Sequence, residues 1–223
     1  MGHPEHLVLA DPQVTADFRT FVSRARSVND GAVHLQAWDQ VLAAYVSIMK
    51  PAFLGDGTPT ILGLRTMMLG ERAQAELTVA LGAMADRLAR MGSNDVLLPV
   101  PPMEVRESWT GVLPPRSGWV AEGTLAAEAL NEAAAAGIRE ISQAVPANPG
   151  KAIVDNARSA VWGRDLELPA ADIPAGAAFA AFSLGFLGEE PAAVFRNGRW
   201  LRVSTPRGHV LVRRAASLHE RAG

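Results

Sequence analysis

The chain has 223 residues, 48% hydrophobic and 20% charged, enough to bury a sizeable core in one large domain or two intimate subdomains. A formal net charge of -2 gives no whole-protein reason to expect nucleic acid or an acidic membrane. The absence of cysteine excludes disulfides, thiolate nucleophiles and Cys-based metal sites, and fits a cytoplasmic location.

The N-terminus, with Pro4 and Glu5, lacks the basic start and long apolar run of a targeting segment. His3 and His6 could bind metal adventitiously, but a disordered terminus is the simpler expectation. Asp11-Pro12 reads as an N-cap followed by proline at the first helical position, where the missing N–H costs nothing. Val14, Phe18, Phe21, Val22 and Ala25 recur at helical spacing, and Asn29-Asp30-Gly31 stops the run.

Ala32–Met49 reads as a hairpin turning near Trp38-Asp39-Gln40, although a helical stripe through Leu35, Trp38, Leu42, Tyr45 and Met49 competes with it. His34 falls in the first of these strands with no carboxylate nearby in sequence. Gly55-Asp56-Gly57-Thr58-Pro59 looks like a fragment of an acidic metal loop, yet without a following carboxylate ladder it is read as a turn. Thr60–Leu69 and Glu76–Ala80 are predicted as two further strands and Gly82–Met91 as a short helix.

Pro99, Pro101, Pro102, Pro114 and Pro115 exclude a helix or central strands between Pro99 and Trp119. Because this stretch also carries Arg106, Trp109, Arg116 and Trp119, it reads as an ordered strap rather than a free linker. Glu104, Glu107 and Glu122 flank it and would be acid–base candidates only if it lined a cleft. Leu130, Ala134, Ile138, Ile141 and Val145 place a helix in Leu125–Val145, and Asn148-Pro149 starts a second with Gly163 beyond its end. A third follows Asp172-Ile173-Pro174 and ends at Gly188, with Ala178, Ala181 and Gly185 as a small-residue packing strip. The apolar stretch Ala175–Leu187 is much shorter than the roughly 20 residues that span a bilayer, so no membrane partner is expected.

The strongest local signal is the terminal meander, Pro191–Arg214. Asn197-Gly198 supplies a tight turn that sets Arg196 against Arg199, Phe195 against Trp200 and Val194 against Leu201. Pro206 suits the second turn, and an even loop there puts Val194, Leu201, Val203, Val210 and Val212 on one face. Phe195, Trp200, Arg202, Ser204, His209, Leu211 and Arg213 then share the other. Six arginines and no acid lie between Pro191 and Leu218, a formal +6 against -8 for the remainder.

This Arg/aromatic face is the first place to look for a ligand. Trp200, Arg202, His209 and Arg213, with Arg116 and Trp119 of the strap, could hold a small anionic or planar molecule. The competing reading, which ranks ahead, is packing: arginine stems over Trp200 with their heads in water or paired with acids such as Glu189, Glu190 or Glu220. Ser204 facing His209 suggests a nucleophile and base, but no third residue is identifiable to orient the histidine. No phosphate loop, Gly-x-Ser-x-Gly or His-Glu-x-x-His pattern occurs, and neither a cofactor nor a resident metal is predicted.

Trp109–Trp119, Leu168–Leu187 and Arg199–Arg213 together resemble a family of uncharacterised bacterial proteins. The resemblance brings no activity, cofactor or catalytic residue with it. The predicted fold is α+β, either a single domain over 1–223 or two subdomains, 1–98 and 120–223, joined by the strap 99–119. Antiparallel strands come from the N-terminal hairpin region and the C-terminal three-stranded meander, with a layer of about three to four helices. Three functions remain, in this order: a homodimeric binding or scaffold protein, an enzyme acting on a small anionic substrate in an Arg/Trp-lined cleft, and a weak nucleic-acid binder through the basic meander. Self is the expected partner, a small anion the alternative, and nucleic acid is disfavoured.

Overall fold

A carboxylate at position 11 sets the first helix in the computed structural model, which describes residues 4–53, 55–146, 150–166 and 172–214. Asp11 accepts a hydrogen bond from the Val14 N–H at 2.9 Å and Pro12 occupies the first turn, so α1 runs Pro12–Val28 as expected. It buries Phe18, Phe21, Val22 and Ala25.

The chain forms two units. The first comprises Met1–Ile48 and Gly63–Leu113, the second Met49–Leu62 and Pro114–Gly223. In the first unit, β1 (His6–Val8) pairs antiparallel with β4 (Leu97–Pro99), tying down His6 in what was expected to be a disordered terminus. His3 lies outside the described residues.

The predicted hairpin over Ala32–Met49 is instead one strand, β2, followed by a second long strand, β3 (Thr60–Ala80). Asp39 takes the left-handed conformation, φ 54°, and residues 38–41 are exposed, so the chain changes phase at this point without reversing. Reversal comes between β2 and β3, where Asp56 accepts hydrogen bonds from the Ala52 and Thr58 N–H groups, each at 2.8 Å. These bonds lower the Asp56 pKa and make the segment a turn, as its sequence suggested. The strands predicted at Thr60–Leu69 and Glu76–Ala80 are both parts of β3.

Helix α2 (Leu81–Arg90) packs against α1, burying Leu81, Met84 and Leu88. Arg19 of α1 caps its C-terminal end by donating to the Leu88 and Met91 carbonyls, both at 3.1 Å. The first half of the proline-rich strap belongs to this unit. It bridges Glu104 to Val79, passes through a 3-10 turn at Ser108–Gly111 and buries Trp109.

In the second unit, β5 (Val120–Leu125) leads into α3 (Ala127–Ala144). Helix α4 (Lys151–Trp162) and α5 (Ala175–Ser183) follow; the Asn148-Pro149 start proposed for α4 lies outside the described residues. Helix α5 ends five residues before the predicted Gly188. Gly185, φ 70°, allows the Phe186 N–H to reach the Ala181 carbonyl at 2.8 Å and its own N–H to reach Phe182 at 3.0 Å. The small-residue strip packs as expected, with Ala178 and Ala181 fully buried where α5 meets α3.

The meander is β6 (Ala192–Asn197), β7 (Trp200–Thr205) and β8 (Gly208–Arg213). The hydrogen-bonded order of the larger sheet is β2-β3-β8-β7-β6-β5. The fold is thus α+β with antiparallel sheets of two and six strands. Among the described residues no helix is long and apolar enough to cross a membrane.

Candidate functional site

The second meander turn follows the even register. Thr205 pairs with Gly208, Ser204 with His209 and Val203 with Val210. Val194, Leu201, Val203, Val210 and Val212 are consequently all buried on one face. A Cβ placed on Gly208, which shares that face, would stand 2.5 Å from the Phe186 ring, so the segment leaving α5 lies directly upon it.

The first turn differs from expectation. Asn197 pairs with Trp200, Arg196 with Leu201 and Phe195 with Arg202, so the turn residues are Gly198 and Arg199 rather than Asn197 and Gly198. A positive φ is then needed only at Gly198, 53°, the first central position of a type II′ turn. The alternative type I′ turn would require it of two consecutive residues. Because this displaces the pairing by two residues, every side chain keeps its face while its partner changes. Phe195 thereby meets Arg202 instead of Trp200.

That exchange builds the central feature of the face. The Arg202 guanidinium carbon lies 4.5 Å from the centre of the Phe195 ring and 4.6 Å from that of Trp119. Two such contacts are worth about 1–2 kcal/mol at a half-buried site. Trp119 arrives on the second half of the strap and is held there from both sides. Its indole N–H donates to the Pro115 carbonyl at 2.9 Å, while the Asn197 side chain donates to the Ser117 carbonyl at 2.7 Å. Gly118, at φ 77°, permits the turn between them. Residues 114–119 are therefore an ordered strap across the hairpin.

Arg202 is half-buried, and burial pushes its guanidinium below the usual arginine value. Among the described residues it donates no hydrogen bond, and its Nε is buried without an acceptor. A buried donor in that state costs about 1–3 kcal/mol.

The remaining predicted residues divide. Trp200 is buried, so its ring belongs to the packing rather than to a ligand surface. Arg213 sits opposite Trp200 and half-buried, which places it diagonally across from Arg202 on the same face. His209 Nδ1 and Ser204 Oγ are 2.9 Å apart across the β7–β8 ladder. Arg116 is exposed, three residues before Trp119, and is not a member of the stack. Phe195, shared between the face and the stack, is the site residue that sequence reasoning underweighted.

The formal +6 of the meander is largely engaged. Arg196 pairs with Glu122 and Arg214 with Asp165, while Arg199 and Arg207 donate to the Arg214 and Leu187 carbonyls at 2.7 and 3.1 Å. The acids of the two ion pairs are Glu122 and Asp165 rather than the suggested Glu189 or Glu190, and Glu220 lies outside the described residues.

A second polar cluster lies in the first unit. His34 is buried, its Nδ1 2.9 Å from the Thr78 hydroxyl and its Nε2 3.6 Å from the Glu76 carboxylate. The rings of Tyr45 and Trp109 stand 6.1 and 6.3 Å away. Burial lowers the His34 pKa, outweighing the opposite pull of Glu76 and Glu104. No group of three or more His, Asp or Glu placed to hold a metal ion occurs among the described residues.

No curated protein matches the chain. Among solved structures, its fold is similar to that of a putative DNA polymerase III beta subunit from Eubacterium rectale ATCC 33656, at 9% identity and TM-score 0.55, covering 95% of this chain and 66% of that one. It is also similar to the Helicobacter pylori beta clamp (7% identity, TM-score 0.52, covering 97% and 66%). A third likeness is to the DnaN sliding clamp of Bartonella birtlesii (10% identity, TM-score 0.51, covering 97% and 67%). The chain therefore spans 66% of the length of the first of these, slightly under two thirds, and identities this low speak to the fold alone. In sequence, residues 2–110 match a domain of unknown function (DUF8010) and residues 114–217 match another (DUF8185), the two meeting within the strap.

Proposed function

We propose that this protein is a self-associating, non-enzymatic binding and scaffold protein that works at DNA. The observation that carries the reading is the likeness of 95% of the chain to a structure described as a putative DNA polymerase III beta subunit. Two features of the chain support it.

First, β2 and β5 end the strand order of the larger sheet, so each has one edge to which no other described strand is bonded. An unpaired edge is a template for a strand from another molecule. Strand β5 has its residues exposed except for Leu125, and Val120 is 68% exposed. Sedimentation velocity should show an oligomer that a Val120→Lys substitution converts to monomer without loss of fold. A wild-type chain that stays monomeric at every accessible concentration would end this part of the reading.

Second, the helices of the first unit are basic. Helices α1 and α2 together carry Arg19, Arg24, Arg26, Arg87 and Arg90 against Asp17 and Asp86. With a net charge of -2 overall, contact with phosphates should be weak and salt-sensitive rather than tight. Fluorescence anisotropy with a labelled duplex should report binding that fades between roughly 50 and 200 mM salt. Arg87→Glu with Arg90→Glu should remove it. Equal binding by that variant would place any DNA contact elsewhere, and no binding at low salt would remove DNA from the proposal.

A further inference from the structure

Apart from self-association and DNA, the stacked arginine of the meander points to a ligand of its own. We propose that Arg202, packed against Trp119 and Phe195 with Arg213 diagonal to it on the same face, is a binding site for the oxyanion of a small molecule, a carboxylate or a phosphate group.

A guanidinium donates hydrogen bonds only in its plane, and its central carbon lies 4.5 Å from the centre of the Phe195 ring and 4.6 Å from that of Trp119, neither of which can accept a normal hydrogen bond. Nε is buried. The two Nη groups are therefore the donors left to meet solvent or a ligand, and they form the edge that binds an oxyanion with two parallel hydrogen bonds.

The geometry is set in advance. Phe195 is the cross-strand partner of Arg202, and Trp119 is fixed by its bond to Pro115 and by the Asn197–Ser117 tie. Little side-chain freedom is left to lose when a ligand arrives.

Charge supplies the second reason. The strand positions sharing this face with Arg202 carry no carboxylate, and desolvation is the cause acting on the Arg202 pKa. Glu122, the acid of β5, is taken by Arg196 of β6. Arg213 adds a second positive charge diagonally across β7 and β8, with the Ser204–His209 pair on the same ladder. A half-buried cation next to another, with no acid between them, attracts an anion from outside the chain.

The site can be read directly by following the Arg202 Nε–H signal in a 15N-edited NMR spectrum, assigned by its loss in Arg202→Lys. Wild-type protein is titrated with inorganic phosphate and, separately, with acetate, each against sodium chloride of equal ionic strength. A saturable shift of that signal with either anion, beyond the chloride control, is the expected result, and the anion that saturates at lower concentration identifies the source. Binding should weaken about tenfold or more in Arg202→Lys, followed there by the shift in thermal midpoint, since lysine cannot offer the planar fork. Arg213→Gln should weaken it less, and Arg116→Gln should leave it unchanged. A signal that moves equally with chloride, or affinities identical in all variants, would overturn the proposal. Should Arg202→Lys fail to fold, the signal is assigned instead by through-bond correlation to the Arg202 backbone, and the wild-type titration with Arg213→Gln still decides.

Discussion

Replacing Gly137 by alanine should destabilise the protein, although alanine is the better helix former by about 0.8–1 kcal/mol. Gly137 lies in the middle of α3, with no turn or cap to explain it. The reason is Trp162, the last residue of α4, whose side chain is fully buried and stacks on Phe179 of α5 at 4.5 Å between ring centres. A Cβ at position 137 would stand 2.1 Å from Cζ3 of that indole and 2.4 Å from Cη2. The ring has little room to retreat, since Phe179 lies nearly parallel on it at 16°.

Overpacking of this kind costs about 1–3 kcal/mol and outweighs the propensity gain. Trp162→Ala should cost more, about 3–5 kcal/mol, through the cavity it leaves. The decisive measurement is a double-mutant cycle in urea. In a Trp162→Leu background the clash is gone, and Gly137→Ala should become neutral or stabilising. An alanine that destabilises equally in both backgrounds would show that the glycine serves some other purpose. Because the chain has two units, exchange of α3 amides should accompany the bulk denaturation curve, so that loss is assigned to the second unit.

The same contrast between local and distant causes separates what was legible in the sequence from what was not. Asp11-Pro12, the apolar period of α1 and the second turn of the meander all act within a few residues, and each fixes its element from the sequence. Strands β1 and β4 are three residues each and exist only through one another, His6 pairing with Pro99. Neither has a pattern of its own to read. In β2, a single left-handed Asp39 shifts the phase of a continuous strand, and in sequence this looks the same as a hairpin turn. Turn type in the first hairpin was a closer matter. Both possible turns keep Arg202 on its face, but the observed one supplies Phe195 as partner, and Trp119 comes from 83 positions earlier in the chain. The face was therefore readable, whereas the stack on it was not. His34 is the same kind of case, since Thr78 and Glu76 reach it through the pairing of β2 with β3.

That histidine should make the protein acid-sensitive. His34 is buried among Thr78, Tyr45 and Trp109, and its charged form is desolvated there, so its folded pKa lies below the usual 6.5. The nearby carboxylates Glu76 and Glu104 pull the other way without reversing the shift. At a pH between the folded and unfolded values, the unfolded chain carries a proton that the native chain does not, so acid favours unfolding. Stability should be complete above about pH 6.5 and fall as the pH drops from there through the folded value, by about 1.4 kcal/mol for each unit separating the two. Urea denaturation between pH 5 and 8 should show this decline for the wild type. His34→Asn, which keeps a polar group for the Thr78 hydroxyl, should be less stable at pH 8 but lose this step in its pH dependence. Parallel curves for the two proteins would mean that His34 does not titrate between its states. An NMR midpoint for the His34 ring at or above 6.5 would show that Glu76, at 3.6 Å, wins over burial.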